Sequence, residues 1–341
     1  MRIAVDVMGG DHGCSVVTDG AKLALESGAK ISELYLVGQE DEIRSALAKN
    51  GCNDPRLKVV PAAEVLTMTD KPSDVLRKKD CSMLKAINLV KNRQADAVIS
   101  RGNTGGLFYA STVSLRRIEG VRRGAIATVI PTQNSEFVLI DGGANVECKP
   151  VHLVQFAVMG AIYAREILGH SNPRIGVLSN GTEDSKGNEL TLEAFRLLKQ
   201  TSLNFIGNVE GHCLFEDRVD VVVCDGFVGN IVLKTIESFA KGMAGWLKQE
   251  LTKNPKRMLG AVLAQNALRT IKRRMDPEAY GGAPILGLNG NVMKAHGSAS
   301  ERSIMNAIRI ASESVHHQIN QTIRDDIARI NAQLPAESLA E

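Results

Sequence analysis

The sequence predicts an α/β fold, a mostly parallel sheet with helices on both faces, and three observations carry that prediction. A short apolar run, a Gly-rich polar loop and a helical pattern follow one another at five places along the chain. The runs are apolar throughout rather than alternating, the pattern of strands buried on both faces. The 341 residues are 44% apolar and 23% charged, an ordinary globular balance with enough apolar surface to form a core.

Taken in order, Ile3 to Val7 opens into Met8-Gly9-Gly10-Asp11-His12-Gly13, and Ala97 to Ile99 into Ser100-Arg101-Gly102-Asn103-Thr104-Gly105-Gly106. Phe137 to Ile140 opens into Asp141-Gly142-Gly143-Ala144-Asn145, and Ile175 to Leu178 into the polar stretch Ser179 to Asn188. Val219 to Cys224 opens into Asp225-Gly226-Phe227-Val228-Gly229-Asn230. Helical periodicity covers about 15–28, 39–50, 80–93, 104–117, 149–168, 188–200, 227–250 and 299–331. No fixed-period repeat or linker interrupts it, so residues 1–334 read as one α/β unit, compatible with a bilobed outline. Residues 335–341 are small and polar and read as a flexible tail.

Charge separates along the chain. Lys and Arg number 41 against 38 Asp and Glu, a net charge of +3. That balance, with only 4% aromatics, argues against a general nucleic-acid binder. Residues 251–275 hold seven of the cations and no carboxylate, leaving −4 for the rest of the chain. The same stretch carries Met258, Leu259, Val262 and Leu263 at helical spacing. A basic amphipathic helix of this kind lies on an anionic membrane or packs its apolar side on protein, and the pattern alone leaves both open. No apolar run approaches the ~18 residues of a membrane span, and the start lacks a signal peptide's features, so the chain reads as cytoplasmic. The six cysteines form no Cys-x-x-Cys pair and read as reduced thiols.

Ligands of such sheets bind outside the carboxyl ends of the strands. Five Gly- and amide-rich loops there point to a functional cleft, although each alone has a structural explanation. Neither a Gly-x-Gly-x-x-Gly nor a P-loop pattern is present, and no cofactor is expected. Lys186, flanked by Gly187 and Asn188 where a helix opens, is a compact charge suited to phosphate, or else a solvated loop lysine. Asn103 and Thr104, followed by Gly105, cap a helix or offer donors to an anion. Asn145 and Thr182 are further strand-end candidates. Asp225 and Asn230 flank a glycine turn and face a cleft or serve the turn. His296, before Gly297 and Ser298 at another helix entry, is a candidate acid or oxyanion donor, or a structural histidine. Asp6 and Asp11 bind a cation or cap the first helix. No three or four metal ligands assemble, and none is expected.

Met8-Gly9-Gly10-Asp11-His12, Gly102-Asn103-Thr104-Gly105, Lys186-Gly187-Asn188, Asp225 to Asn230, Tyr280-Gly281-Gly282-Ala283-Pro284 and His296-Gly297-Ser298 occur in the order of a known family. From residue 1 to about 315 the chain resembles the bacterial phosphate acyltransferase (PlsX) family. The resemblance implies a fold like phosphotransacetylase and the isocitrate-dehydrogenase group. It also implies conversion of acyl-(acyl-carrier-protein) and inorganic phosphate to acyl phosphate and free carrier protein, for phospholipid synthesis. A homodimer peripherally bound to the membrane is implied as well, with a glycerol-3-phosphate acyltransferase as a further partner. Phosphate positioning then falls to Lys186, Asn188, Asn103 and Thr104, and the thioester to Asp225, Asn230 and His296. Membrane contact falls to the apolar face of 251–275. Arg101 stands where the family carries a small residue, and Gly13-Cys14 where it often has Ala-Pro. Arg101 adds charge to the phosphate loop or points to solvent. The rival readings are a metal- and nicotinamide-dependent decarboxylating dehydrogenase, and a non-enzymatic membrane or carrier-protein adaptor.

Overall fold

A computed structural model of the chain describes residues 1–10, 13–274 and 280–339. Asp11, His12 and the last residue of the basic stretch, Met275, lie outside the described residues. The strands are β1 (Arg2–Asp6), β2 (Glu33–Gly38), β3 (Leu57–Pro61), β4 (Ala97–Ser100), β5 (Ala125–Pro131), β6 (Glu136–Ile140), β7 (Ile175–Leu178), β8 (Phe205–Val209), β9 (Val221–Val223), β10 (Ala283–Leu286) and β11 (Asn291–Lys294). They form one sheet in the order β3-β2-β1-β4-β11-β10-β5-β6-β9-β7-β8. Pairing is parallel except at three successive junctions, β11-β10, β10-β5 and β5-β6. The expected parallel sheet is thus two parallel halves joined by antiparallel strands. Because of that joint, β6, β7 and β9 run opposite to β1, β4 and β11.

Helices cover both faces: α1 (Gly13–Glu26), α2 (Glu40–Asn50), α3 (Ser82–Lys91), α4 (Thr104–Leu115), α5 (Pro150–Glu166), α6 (Glu189–Leu198), α7 (Gly226–Leu251), α8 (Pro255–Leu263), α9 (Gln265–Arg274), α10 (Glu301–His316) and α11 (Ile319–Asn331). Alternate residues of single strands feed opposite cores, as the pleat requires. Ile3 and Val5 pack with Val17, Ala21 and Ile304 of α1 and α10, while Ala4 and Val98 pack with Met83 and Leu107 of α3 and α4. In the second half, Val138 and Ile140 join α5, whereas Phe137 and Leu139 face Val228, Val232 and Ile236 of α7. Helices α1 and α10 meet closely at Gly20, where a Cβ would lie 2.6 Å from that of Ile304.

Two helical expectations are corrected. The pattern over 299–331 is interrupted at Gln318, whose φ is +51°, and becomes α10 and α11. The basic stretch is two short helices rather than one, α8 ending at Ala264 with ψ near 0°. The expected loose tail begins with a 3-10 turn over Ala336–Leu339. Among the described residues no helix is long and apolar enough to cross a membrane.

Candidate active site

The predicted residues fall into two groups because the sheet reverses direction. At the carboxyl ends of β1, β4 and β11 the loops interlock through glycine. A Cβ on Gly9 would lie 2.5 Å from the Gly102 nitrogen, and one on Gly10, whose φ is +94°, 2.7 Å from the Gly297 carbonyl oxygen. Asp6 lies beneath them, 1% exposed. It accepts from the Ser82 hydroxyl at 2.7 Å, the Ser100 hydroxyl at 2.7 Å and the Met8 N–H at 3.2 Å. Burial pushes its pKa up against those hydrogen bonds. Asp6 therefore neither caps α1 nor sits open to a cation; it knits β1, α3 and β4 together.

Arg101 also differs from expectation. Its side chain is 1% exposed, so it is not solvated. It donates to the Gly13 carbonyl at 2.9 Å and the Ala299 carbonyl at 3.3 Å. A long cation here ties the loop after β4 to the starts of α1 and α10, which a small residue does not do. Asn103 is similarly occupied. Its Oδ1 caps α4 by accepting from Gly106 N–H at 2.9 Å, and its Nδ2 donates to the Asp70 carbonyl at 3.1 Å. The accessible members of this group are Thr104, Gly105, His296 and Ser298. Ser298 N–H donates to His296 Nδ1 at 3.3 Å, with the Ser298 hydroxyl 2.9 Å from the same atom. In the neutral ring the proton therefore sits on Nε2. Partial burial, then Lys294, Lys234 and Lys241, lower the His296 pKa against the opposing pull of Glu237, which favours that neutral ring.

The second group stands at the carboxyl ends of β6, β7 and β9. Its organiser is Asp141, fully buried and absent from the sequence-level candidates. It accepts from the N–H groups of Ile126 at 3.0 Å, Gly143 at 3.2 Å, Ala144 at 3.1 Å and Asn145 at 2.7 Å, and from Asn145 Nδ2 at 2.8 Å. Burial raises its pKa against these donors. The sign in the sequence was an apolar strand ending in Asp-Gly-Gly. Asn145 is 7% exposed and serves this clamp, also donating to the Gly124 carbonyl at 2.7 Å. Its carbonyl accepts from Gly226 N–H at 2.7 Å. Asp225 caps α7, accepting from Val228 N–H at 2.9 Å. Asn188 caps α6, accepting from Thr191 N–H at 2.9 Å, while its Nδ2 takes no part in that bond. Lys186, Thr182 and Asn230 are exposed. The Lys186 backbone is held by its carbonyl, which accepts from Asn208 Nδ2 at 3.3 Å. Asn230 lies against Gly143, where a Cβ would come within 3.2 Å of its own.

Helix α7 connects the groups. It starts at Asp225, carries Asn230 in its second turn, and sets Lys234, Glu237 and Lys241 where His296 feels their charge. The nearby thiols stay protonated. Burial pushes Cys148 up to about 12, with Asp141 and Asp225 adding to the rise, and holds Cys224 well above its ordinary value. Cys14, at the other group, is pushed up to about 11 by burial.

A protein-family model described as a fatty acid synthesis protein matches residues 1–322. A phosphate acyltransferase of Akkermansia muciniphila is 45% identical over 337 residues, 97% of each chain. One of Geotalea daltonii is 47% identical over 323 residues, 94% of this chain and 92% of that one. The chain belongs to the phosphate acyltransferase family. It is an acyltransferase enzyme of fatty acid and phospholipid synthesis, working with phosphate. The solved phosphotransacetylase of Streptococcus pyogenes superposes with a TM-score of 0.63 at 19% identity, covering 93% of this chain and 94% of that one. At that identity the acyltransferase shares its fold with that structure, and the α/β expectation holds.

Proposed function

We propose that this acyltransferase moves the acyl group of acyl-(acyl-carrier-protein) onto inorganic phosphate, giving acyl phosphate and free carrier protein. The observation that carries the proposal is exposed Lys186 on the end of the sheet where α5, α6 and α7 all begin. Three helix N-termini and an exposed cation beside them favour a small, highly charged anion. Thr182, Asn188 Nδ2 and Asn230 supply further donors, and the second group is the phosphate subsite.

One phosphate oxygen attacks the thioester carbonyl carbon, and the carbonyl electron pair moves to oxygen. The tetrahedral oxyanion then collapses and the carbon–sulfur bond breaks. The carrier thiolate leaves and takes the proton that the phosphate gives up. The enzyme's work is to hold the anion, align it and stabilise the oxyanion. Asp225 orients the first turn of α7, Asn230 borders the thioester and the reacting carbonyl, and neutral His296, in the group at the far side of α7, offers an Nε2 donor to the remainder of the bound acyl substrate. The protonated thiols fit direct attack by phosphate without a covalent enzyme intermediate.

Acyl-phosphate formation without added metal, with phosphate limiting, tests this. Lys186→Ala is expected to lower kcat/KM for phosphate by about 100-fold, the size of losing one oriented charge in a site. Unchanged formation by both Lys186→Ala and His296→Ala sinks the assignment. The proposal extends to a homodimer that binds the membrane peripherally through α8 and α9.

A further inference from the structure

We infer that the arginine loop between α4 and β5, with Lys149 at the start of α5, is the surface that receives the acidic carrier protein. The inference rests on the proposed reaction and adds the face on which its macromolecular substrate docks. Arg116, Arg117, Arg122 and Arg123 fall within eight residues, with Glu119 the one carboxylate among them. Arg116, Arg117, Arg123 and Lys149 are exposed and Arg122 is half-buried. Their combined field reaches neighbouring groups. At His152, which burial itself depresses most, Arg123, Lys149, Arg117 and Arg122 all push further in the same direction.

The patch is held rigidly. Gln155, fully buried, accepts from Arg122 N–H at 2.8 Å and donates to the Gly120 carbonyl at 2.8 Å. Asn289 N–H donates to the Arg116 carbonyl at 3.0 Å, and its Nδ2 to the Arg117 carbonyl at 2.7 Å. A cationic surface whose backbone is already ordered loses little on binding. It also lies beside the second group. Arg123 precedes Gly124, whose carbonyl takes the Asn145 amide, and its charge acts on Cys148 together with those of Asp141 and Asp225.

The occupant follows from charge and composition. Tyr109 and Val113, 40% and 49% exposed, stand four residues apart on α4 and lead toward Arg116. Val146, 64% exposed, lies on the loop before Lys149. Arginines beside a Tyr and isolated aliphatics are the makings of a protein interface rather than of a lipid surface. A carrier rich in carboxylates, with its acyl group on a phosphate-linked arm, complements the patch in charge and delivers the thioester to the adjoining loops.

The experiment compares Arg117→Glu with Arg123→Glu, as a double variant, against the unaltered enzyme. Acyl-carrier protein and an acyl-pantetheine thioester lacking the protein serve as alternative substrates. KM for the carrier substrate is expected to rise by about tenfold or more, because steering charges are reversed. Turnover of the pantetheine thioester stays unchanged, and the salt dependence of the carrier KM flattens. Arg117→Gln with Arg123→Gln shifts KM the same way by less, and serves if the reversal fails to fold. Equal carrier KM in variant and unaltered enzyme overturns the inference. So does an equal loss on both substrates, or a loss confined to vesicle binding. If the unaltered enzyme forms no acyl phosphate from either thioester, the proposed reaction itself falls; if it forms it from both, only the docking face is at stake.

Discussion

His152 occupies the position of α5 where a capping box ordinarily carries Glu or Gln. Its Nδ1 accepts from the Lys149 N–H at 3.0 Å, a bond that the protonated ring cannot make. Burial first, and the surrounding cations after it, lower its pKa from 6.5 to about 4. A depressed folded-state pKa means that the unfolded chain binds the proton first as pH falls. Stability is therefore lost between pH 6.5 and about 4, at up to about 1.4 kcal/mol per pH unit. His152→Gln keeps an acceptor at that position and removes the titration. Urea unfolding of both proteins from pH 7 to pH 4 is expected to show the steeper decline in the unaltered chain, and parallel declines refute this. Sequence reading singled out the polar loops at the strand ends but not every residue's local task. Asn103, Asn145 and Asp225 were legible as strand-end polar groups, and the side chain of each binds backbone groups. Asp141 and Arg101 were not legible in their roles, because burial defines both and Arg101 binds partners far away in sequence.

Among the elements, helices were the more legible. Apolar spacing and caps act within a turn or two, so boundaries such as those of α4 and α7 follow from local residues. Strands β10 and β11 are only four residues each, and the antiparallel pairing of β10 with β5 joins segments far apart in sequence. Helix α8 shows the limit of periodicity. Its spacing predicted an apolar stripe, and Met258, Leu259, Val262 and Leu263 are indeed from 51% to 80% exposed. Such a stripe with Lys256 and Arg257 beside it suits the boundary of an anionic bilayer. Flotation with anionic vesicles is expected to carry the unaltered protein upward and leave Val262→Glu with Leu263→Glu behind. Equal flotation of the two rejects membrane contact through α8.

For the whole molecule, the long helix α7 raises the question of assembly. Of its 26 residues only Gly226 and Gly229 are buried. Phe239, Met243 and Trp246 form an exposed stripe at spacings of four and three. An apolar stripe of that kind marks an interaction surface, and a second copy of the chain is the proposed occupant. Sedimentation equilibrium is expected to give twice the 36.7 kDa chain mass and to fall toward the single mass for Phe239→Glu with Trp246→Glu. A single-chain mass for the unaltered protein ends that proposal.

By itself the sequence determined the α/β class, the Gly-rich strand ends, most helix boundaries and the separation of a basic apolar segment from an acidic body. These depend on nearest neighbours along the chain: burial on both faces, caps and charge count. Only the tertiary structure decided which strand ends share a side. Strands β10 and β5 turn the second half of the sheet around. That reversal separates Lys186 and Asn230 from His296 and Asn103 and leaves α7 to span the interval. Two of the three reversals are hairpins between neighbouring strands, but the β10-β5 junction that joins the halves pairs segments remote in sequence, and no local pattern encodes it.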